Sequence, residues 1–179
     1  MSIEVLSLQG ESRTHNGLAS IESAKLMQMR NAHLKECFAH VDEMKYHMEF
    51  VARIRGIEFI NDASSTTVEA TWFSLENMDR DTVWIATAAA APTDYSRLRP
   101  VAARKVKMLI CVGNHDEQLR KAFQGVVPRI LSVGTLAEAA HRALYNDLEN
   151  TSVIFSPAVQ GGKNVEEMGE RFAREVNDL

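Results

Sequence analysis

Asp62, Ser64, Ser65, Thr66 and Thr67 crowd one short loop in the stretch GIEFINDASSTTVEATWFSLENM, Gly56 to Met78. A polar loop between a strand and a helix is where a doubly wound sheet holds a charged ligand, over the carboxyl ends of its strands. Hydroxyls and one carboxylate can orient a neutral group. They are poor substitutes for the water around an anion, a task for lysine, arginine or several amide donors. The loop contains no lysine, arginine or glycine. Thr87 and Thr93 bound a second loop, TAAAAPT, and Ser156 opens a third, SPAVQGGKN. Asp62, Thr66, Thr87, Thr93 and Ser156 could thus line a small, neutral pocket.

Each of these residues also has a plainer reading. Asp62 suits a cap or turn aspartate, and Thr66 or Thr67 suits the N-cap of a helix starting near Val68, with Glu69 in its first turn. Gln160 to Asn164, QGGKN, has glycine and lysine but not the spacing of a phosphate loop, and no Ser or Thr follows the lysine. His33, Cys37 and His40 share one helical face at i, i+4 and i+7, yet Cys37 belongs to an apolar stripe and no fourth ligand is evident. No metal site is expected. Trp72 and Trp84 read as core residues.

The elements that must position these residues follow from periodicity. Residues 15–45 read as helix only: Leu34, Cys37, Phe38 and Val41 form an i, i+3, i+4, i+7 stripe, preceded by Leu18, Ile21, Ala24 and Met27. From Met48 onward strands and helices alternate. MEFVARI and IEFIND flank Arg55-Gly56 as a hairpin. Helices over 67–78, 96–104, 115–123, 135–147 and 164–177 then alternate with the strands TVWIATA, KMLICVG, VPRILSV and SVIFSPA. This order predicts an α/β fold, Rossmann-like and doubly wound, with a mostly parallel sheet and a helical N-terminal appendage. The expected division is 1–47 and 48–179.

Bulk properties set bounds. With 179 residues the chain can bury a full core, and a net charge of −4 with scattered basic residues argues against nucleic-acid binding. No apolar run approaches the ~18 residues of a membrane span. MSIEVLSLQG has neither the basic nor the apolar region of a signal peptide, and Cys37 and Cys111 stand far apart. A cytoplasmic setting is the expectation.

Further motifs carry a resemblance. HMEFVARIRGIEFIND, TTVEATWFSLENM, TVWI, TDYSRL, IFSPA and NVEEMGERFAREV make the chain from Leu8 to Leu179 similar to the C-terminal part of a Mur ligase, of the type that adds D-glutamate to UDP-N-acetylmuramoyl-L-alanine. The resemblance implies the Mur ligase C-terminal domain, preceded by the last helices of a central ATPase domain. It implies an adenine contact at Asn16 and a nucleotide-holding hinge at Tyr46-His47-Met48-Glu49, where the family's arginine is His47. In the stretch LQGESRTHNGLAS, Gly10 and Asn16 keep their places, but the family's His-Asn pair is Ser12-Arg13.

The departures fall on every signature. The family's D-S-K-A-T-N loop is DASSTT, with Ser64 for lysine and Thr67 for asparagine; its G-G-x-D-K-G loop is TAAAAPT, with Ala91 for lysine. The last loop, SPAVQGGKN, lacks the serine, phenylalanine and aspartate that hold the substrate. No G-x-x-x-x-G-K-[ST] occurs. The resemblance therefore implies a catalytically inactive pseudoenzyme without a cofactor, acting as an interaction, scaffold or regulatory module linked to cell-wall synthesis. The alternatives are a small-ligand-binding domain, or a half-enzyme completing a ligase with a partner ATPase chain. In the family the N-terminal helices pack on an ATPase sheet, which is not expected among these 179 residues. Ile21, Met27, Leu34, Cys37, Phe38 and Val41 are accordingly expected at the interface of a homodimer or stable heteromer.

Overall fold

A computed structural model describes residues 45–87, 92–113, 116–148, 150–158 and 165–179. The chain divides between Lys45 and Tyr46, so the fold below is that of the unit Tyr46–Leu179. Asn16 and the stripe Ile21, Met27, Leu34, Cys37, Phe38 and Val41 lie outside the described residues, as do His33, His40, Ala91 and QGGKN.

Strands β1 (Glu49–Ile54) and β2 (Ile57–Asn61) form the antiparallel hairpin. Its turn works because Arg55 and Gly56 both take positive φ, 53° and 83°, the pair of angles a two-residue turn between right-twisted strands requires. Then follow α1 (Val68–Glu76), β3 (Asp81–Thr87), a 3-10 turn (Ser96–Leu98), α2 (Arg99–Lys105), β4 (Val106–Val112) and α3 (Glu117–Phe123). The chain ends with β5 (Arg129–Val133), α4 (Leu136–Leu144), β6 (Thr151–Phe155) and α5 (Val165–Asn177). The six-stranded sheet has the order β1-β2-β6-β3-β4-β5, parallel except for β1.

The central strands are apolar throughout because both faces are covered. Alternate residues nevertheless feed two separate cores. Val83 and Ile85 of β3, Ile110 of β4 and Phe155 of β6 pack with Ala139 of α4 and Phe172 of α5. Trp84, Leu109 and Ile154 point the other way, toward Leu75, Val101 and Phe123 on α1, α2 and α3. Trp84 meets Phe123 edge to face at 5.2 Å, and Phe155 stacks on Phe172 at 5.0 Å. No described helix is long and apolar enough to cross a membrane.

One core assignment from sequence is corrected. Trp84 is fully buried, but Trp72 is 39% exposed and its neighbour Phe73 is 60% exposed. Helix α1 turns Val68, Thr71, Ser74 and Leu75 toward the sheet, which leaves Trp72 and Phe73 on the outer face beside Glu69.

Candidate functional site

Strands β6 and β3 are neighbours whose chains leave in opposite directions: β3 leads to α2 on one face of the sheet, β6 to α5 on the other. Diverging loops at such a point open the crevice where doubly wound sheets bind ligands. The loops after β2 and β6 meet there, and they carry Asp62, Thr66 and Ser156 from the residues singled out by sequence.

The loop after β2 is built by helix capping and by β6. Thr67 is the N-cap of α1, its hydroxyl accepting from the Ala70 amide at 3.1 Å. Asp62 donates its amide to the Phe155 carbonyl (2.8 Å), and Ala158 donates to the Ser65 carbonyl (3.2 Å). The loops after β2 and β6 are therefore stitched together by main chain.

Beneath them lies a closed hydroxyl network. Thr71 Oγ1 donates to the Ser65 carbonyl (3.3 Å) and lies 2.9 Å from Ser156 Oγ. Ser74 Oγ donates to the Ala70 carbonyl (3.2 Å) and lies 3.2 Å from Ser65 Oγ. Each hydroxyl has one proton, so Ser156 must donate to Thr71 and Ser65 to Ser74. The Ser156 carbonyl accepts from Trp84 Nε1 at 2.9 Å. All four hydroxyl residues are buried, and their donors are spent inside the protein.

Asp62 is fully buried and does not cap α1. It reaches back instead to the segment before β1: Oδ1 accepts from the Met48 amide at 3.1 Å and lies 3.4 Å from His47 Nδ1. Among the described residues Asp62 Oδ2 has no hydrogen-bond partner. Ser64, at the lysine position of the resemblance, turns the same way. Its Oγ donates to the Tyr46 carbonyl (3.0 Å) and sits 3.4 Å from His47 Nδ1. With its proton so engaged, Ser64 can only accept from His47, as Asp62 does. Nδ1 therefore carries a proton, and its hydrogen bond to Asp62 raises the His47 pKa against the lowering effect of partial burial.

Ser64, His47 and Asp62 are the residue types of a nucleophile relay, but their geometry excludes one. A relay needs the serine on one ring nitrogen and the carboxylate on the other; here both neighbour Nδ1.

The remaining candidates stand apart. Thr66 and Thr87 are half-buried at the loop and at the end of β3. Thr93 donates its amide to Gln118 Oε1 of α3 at 3.1 Å. The structure thus joins Asp62 with His47, and Ser156 with Thr71. Sequence reasoning missed Thr71 and Ser74, whose only signal was a pair of hydroxyls three residues apart, sharing the helix stripe of Val68 and Leu75. Cys111 on β4 is buried, which pushes its thiol up to about 12, too high for a nucleophile. Among the described residues no group of three His, Cys, Asp or Glu could hold a metal ion.

The class of protein follows from fold and loops together. The chain resembles UDP-N-acetylmuramate–alanine ligase MurC from Thermotoga maritima with a TM-score of 0.54 at 14% identity, over 97% of this chain and 39% of that one. It also resembles the murein peptide ligase Mpl from Psychrobacter arcticus with a TM-score of 0.52 at 13% identity, over 75% of this chain and 30% of that one. Those likenesses establish the Mur ligase fold. Sequence carries the relation further. The UDP-N-acetylmuramoylalanine–D-glutamate ligases of Porphyromonas gingivalis and Bacteroides fragilis are 31% and 30% identical to it across its whole length. The chain thus shares the Mur ligase fold and is related in sequence, from end to end, to part of these D-glutamate ligases. It spans about 40% of the length of these curated relatives. No protein-family model matches it.

Proposed function

We propose that this chain is a Mur-ligase-like domain that no longer ligates an amino acid and acts through protein contacts, as a scaffold or regulator linked to cell-wall synthesis in the cytoplasm. The observation that carries the reading is the fate of position 64. Where the resemblance calls for a lysine, Ser64 donates its hydroxyl to the Tyr46 carbonyl. Asp62 and Ser156, which kept their places, are spent on Met48 and Thr71. The described residues of the three loops, 62–67, 92–95 and 156–158, contain no lysine or arginine. A dicarboxylate would lose its hydration there with little in return.

The proposal includes a homodimer or stable heteromer built on Ile21, Met27, Leu34, Cys37, Phe38 and Val41, supported by their helical spacing. It calls for no cofactor, nucleic acid or membrane. Calorimetric titration of the chain with D-glutamate is expected to give no saturable heat, and ATP with the muramoyl-alanine acceptor is expected to yield no ADP. ADP release abolished by Thr66→Ala, or saturable glutamate binding, overturns the reading. Light scattering is expected to report an assembly that Leu34→Asp and Phe38→Asp dissociate. The alternative, a domain for a small neutral ligand or a half-enzyme, draws on the partial exposure of Thr66, Thr87 and Thr93. A thermal-shift screen with nucleotides, UDP-sugars and amino acids separates the two: stabilisation by any of them favours the alternative.

A further inference from the structure

The segment Tyr46–Glu49, which joins the two units, is pinned to the α/β domain more firmly than a passive linker requires. Tyr46 and Met48 take φ angles of 63° and 48°, conformations that non-glycine residues hold only where surrounding contacts impose them. Those contacts come from three sides. The Tyr46 carbonyl accepts from the Ser64 amide at 3.1 Å as well as from its hydroxyl. The Tyr46 ring lies on Gly169 of α5, where a Cβ would come within 2.5 Å of ring atoms, and Asn61 Nδ2 donates to the Gly169 carbonyl at 2.9 Å. Asp62 holds Met48 and His47 from below.

We propose that Tyr46–Glu49 is a pH-sensitive latch: protonated His47 clamps the segment onto buried Asp62, and loss of that proton loosens it. The charged groups around the segment are Asp62 from the loop after β2, Glu49 of β1, Glu170 of α5 and Lys45. Glu49 Oε2 accepts from the Tyr46 amide at 3.3 Å, and Glu170 Oε1 lies 3.4 Å from the Tyr46 hydroxyl. Among the described residues these carboxylates outnumber the cations, which favours the imidazolium. Neutral His47 can still donate from Nδ1, so deprotonation removes the charge rather than the hydrogen bond. Among the described residues the Asp62 carboxylate then keeps one oxygen without a hydrogen-bond partner and loses the positive charge of His47.

The direction of the effect is fixed by linkage. His47 binds its proton more tightly when latched than when free, since its pKa is raised from 6.5. The latch is therefore at full strength below the ordinary histidine range, and weakens as pH rises through the raised value.

Amide hydrogen exchange of the full chain, followed by NMR from about pH 5.5 to about pH 8.5, tests this. Protection at the Met48 and Ser64 amides, measured against buried amides of β4, is expected to fall across the His47 titration. The fold-loss should equal ten raised to the difference between the His47 pKa in the protein and its ordinary value. His47→Gln should show low, pH-independent protection at both amides, and Asp62→Asn should return His47 to its ordinary titration. Because Asp62 is fully buried while the His47 side chain is 43% exposed, His47→Gln carries the test where Asp62→Asn fails to fold. Flat protection profiles in the unmodified chain overturn the latch. So does ordinary titration of His47, or wild-type protection in His47→Gln at low pH.

Discussion

At the scale of single residues, polar side chains that look like ligand groups are used as internal fasteners. Thr71 shows how tightly. Its hydroxyl donates to the Ser65 carbonyl and receives the proton of Ser156, joining α1 to the loops after β2 and β6. Thr71→Val keeps the shape and removes both functions, leaving the buried Ser156 hydroxyl without its acceptor and the Ser65 carbonyl with the Ala158 amide alone. Such a loss costs ~1–3 kcal/mol. Urea unfolding is expected to show a midpoint reduced accordingly with an unchanged slope. An unchanged midpoint would mean that water or rotamer shifts satisfy the network without Thr71.

At the scale of elements, α1 has an unusual distribution of apolar residues. Its inward stripe carries Thr71 and Ser74 beside Val68 and Leu75, while two aromatic side chains face out. The two tryptophans should therefore respond very differently to truncation. Trp84→Ala removes a ring packed against Phe123 and a donor to the Ser156 carbonyl; large-to-small changes of that kind cost about 3–5 kcal/mol. Trp72→Ala, on the outer face, is expected to stay within about 0.5–1 kcal/mol of the unmodified chain, close to the range of surface substitutions. Paired denaturation curves measure the contrast, and equal losses would place Trp72 in a contact that α1 does not show.

At the scale of the whole molecule, both cores are made within Tyr46–Leu179. Tyr46 itself closes the core that contains Phe172 and Val176. A chain starting at residue 46 is thus expected to fold alone, with one cooperative urea transition monitored by both far-ultraviolet dichroism and tryptophan fluorescence. A start at residue 50 removes Tyr46, His47 and Met48. It leaves Asp62 buried without its partners and Gly169 without its covering ring, so a lower midpoint is expected. Equal midpoints would show that the segment adds nothing to the stability of this unit.

The sequence by itself determined the order and kind of the elements. Apolar runs of strand length alternating with helical stripes dictate a parallel sheet covered on both faces, and Arg55-Gly56 between two alternating runs dictates the hairpin. Thr67 was legible as a cap because capping is a local matter of a hydroxyl and an amide three residues on. The charge missing from the loops was legible too, since residue types at Ser64 and Ala91 need no coordinates. Only the tertiary structure decided what the retained polar groups do. Asp62 reads locally as a turn or cap residue, yet it holds Met48 because the hairpin folds that segment back over the loop after β2. Ser156 and Thr71 meet only because β6 is inserted between β2 and β3, a pairing that no local pattern encodes. Trp72 escaped the core for a related reason: helical periodicity fixes which residues share a face. Which face turns inward depends on how the whole helix packs against the sheet, and here Thr71 and Ser74 lie on the buried side.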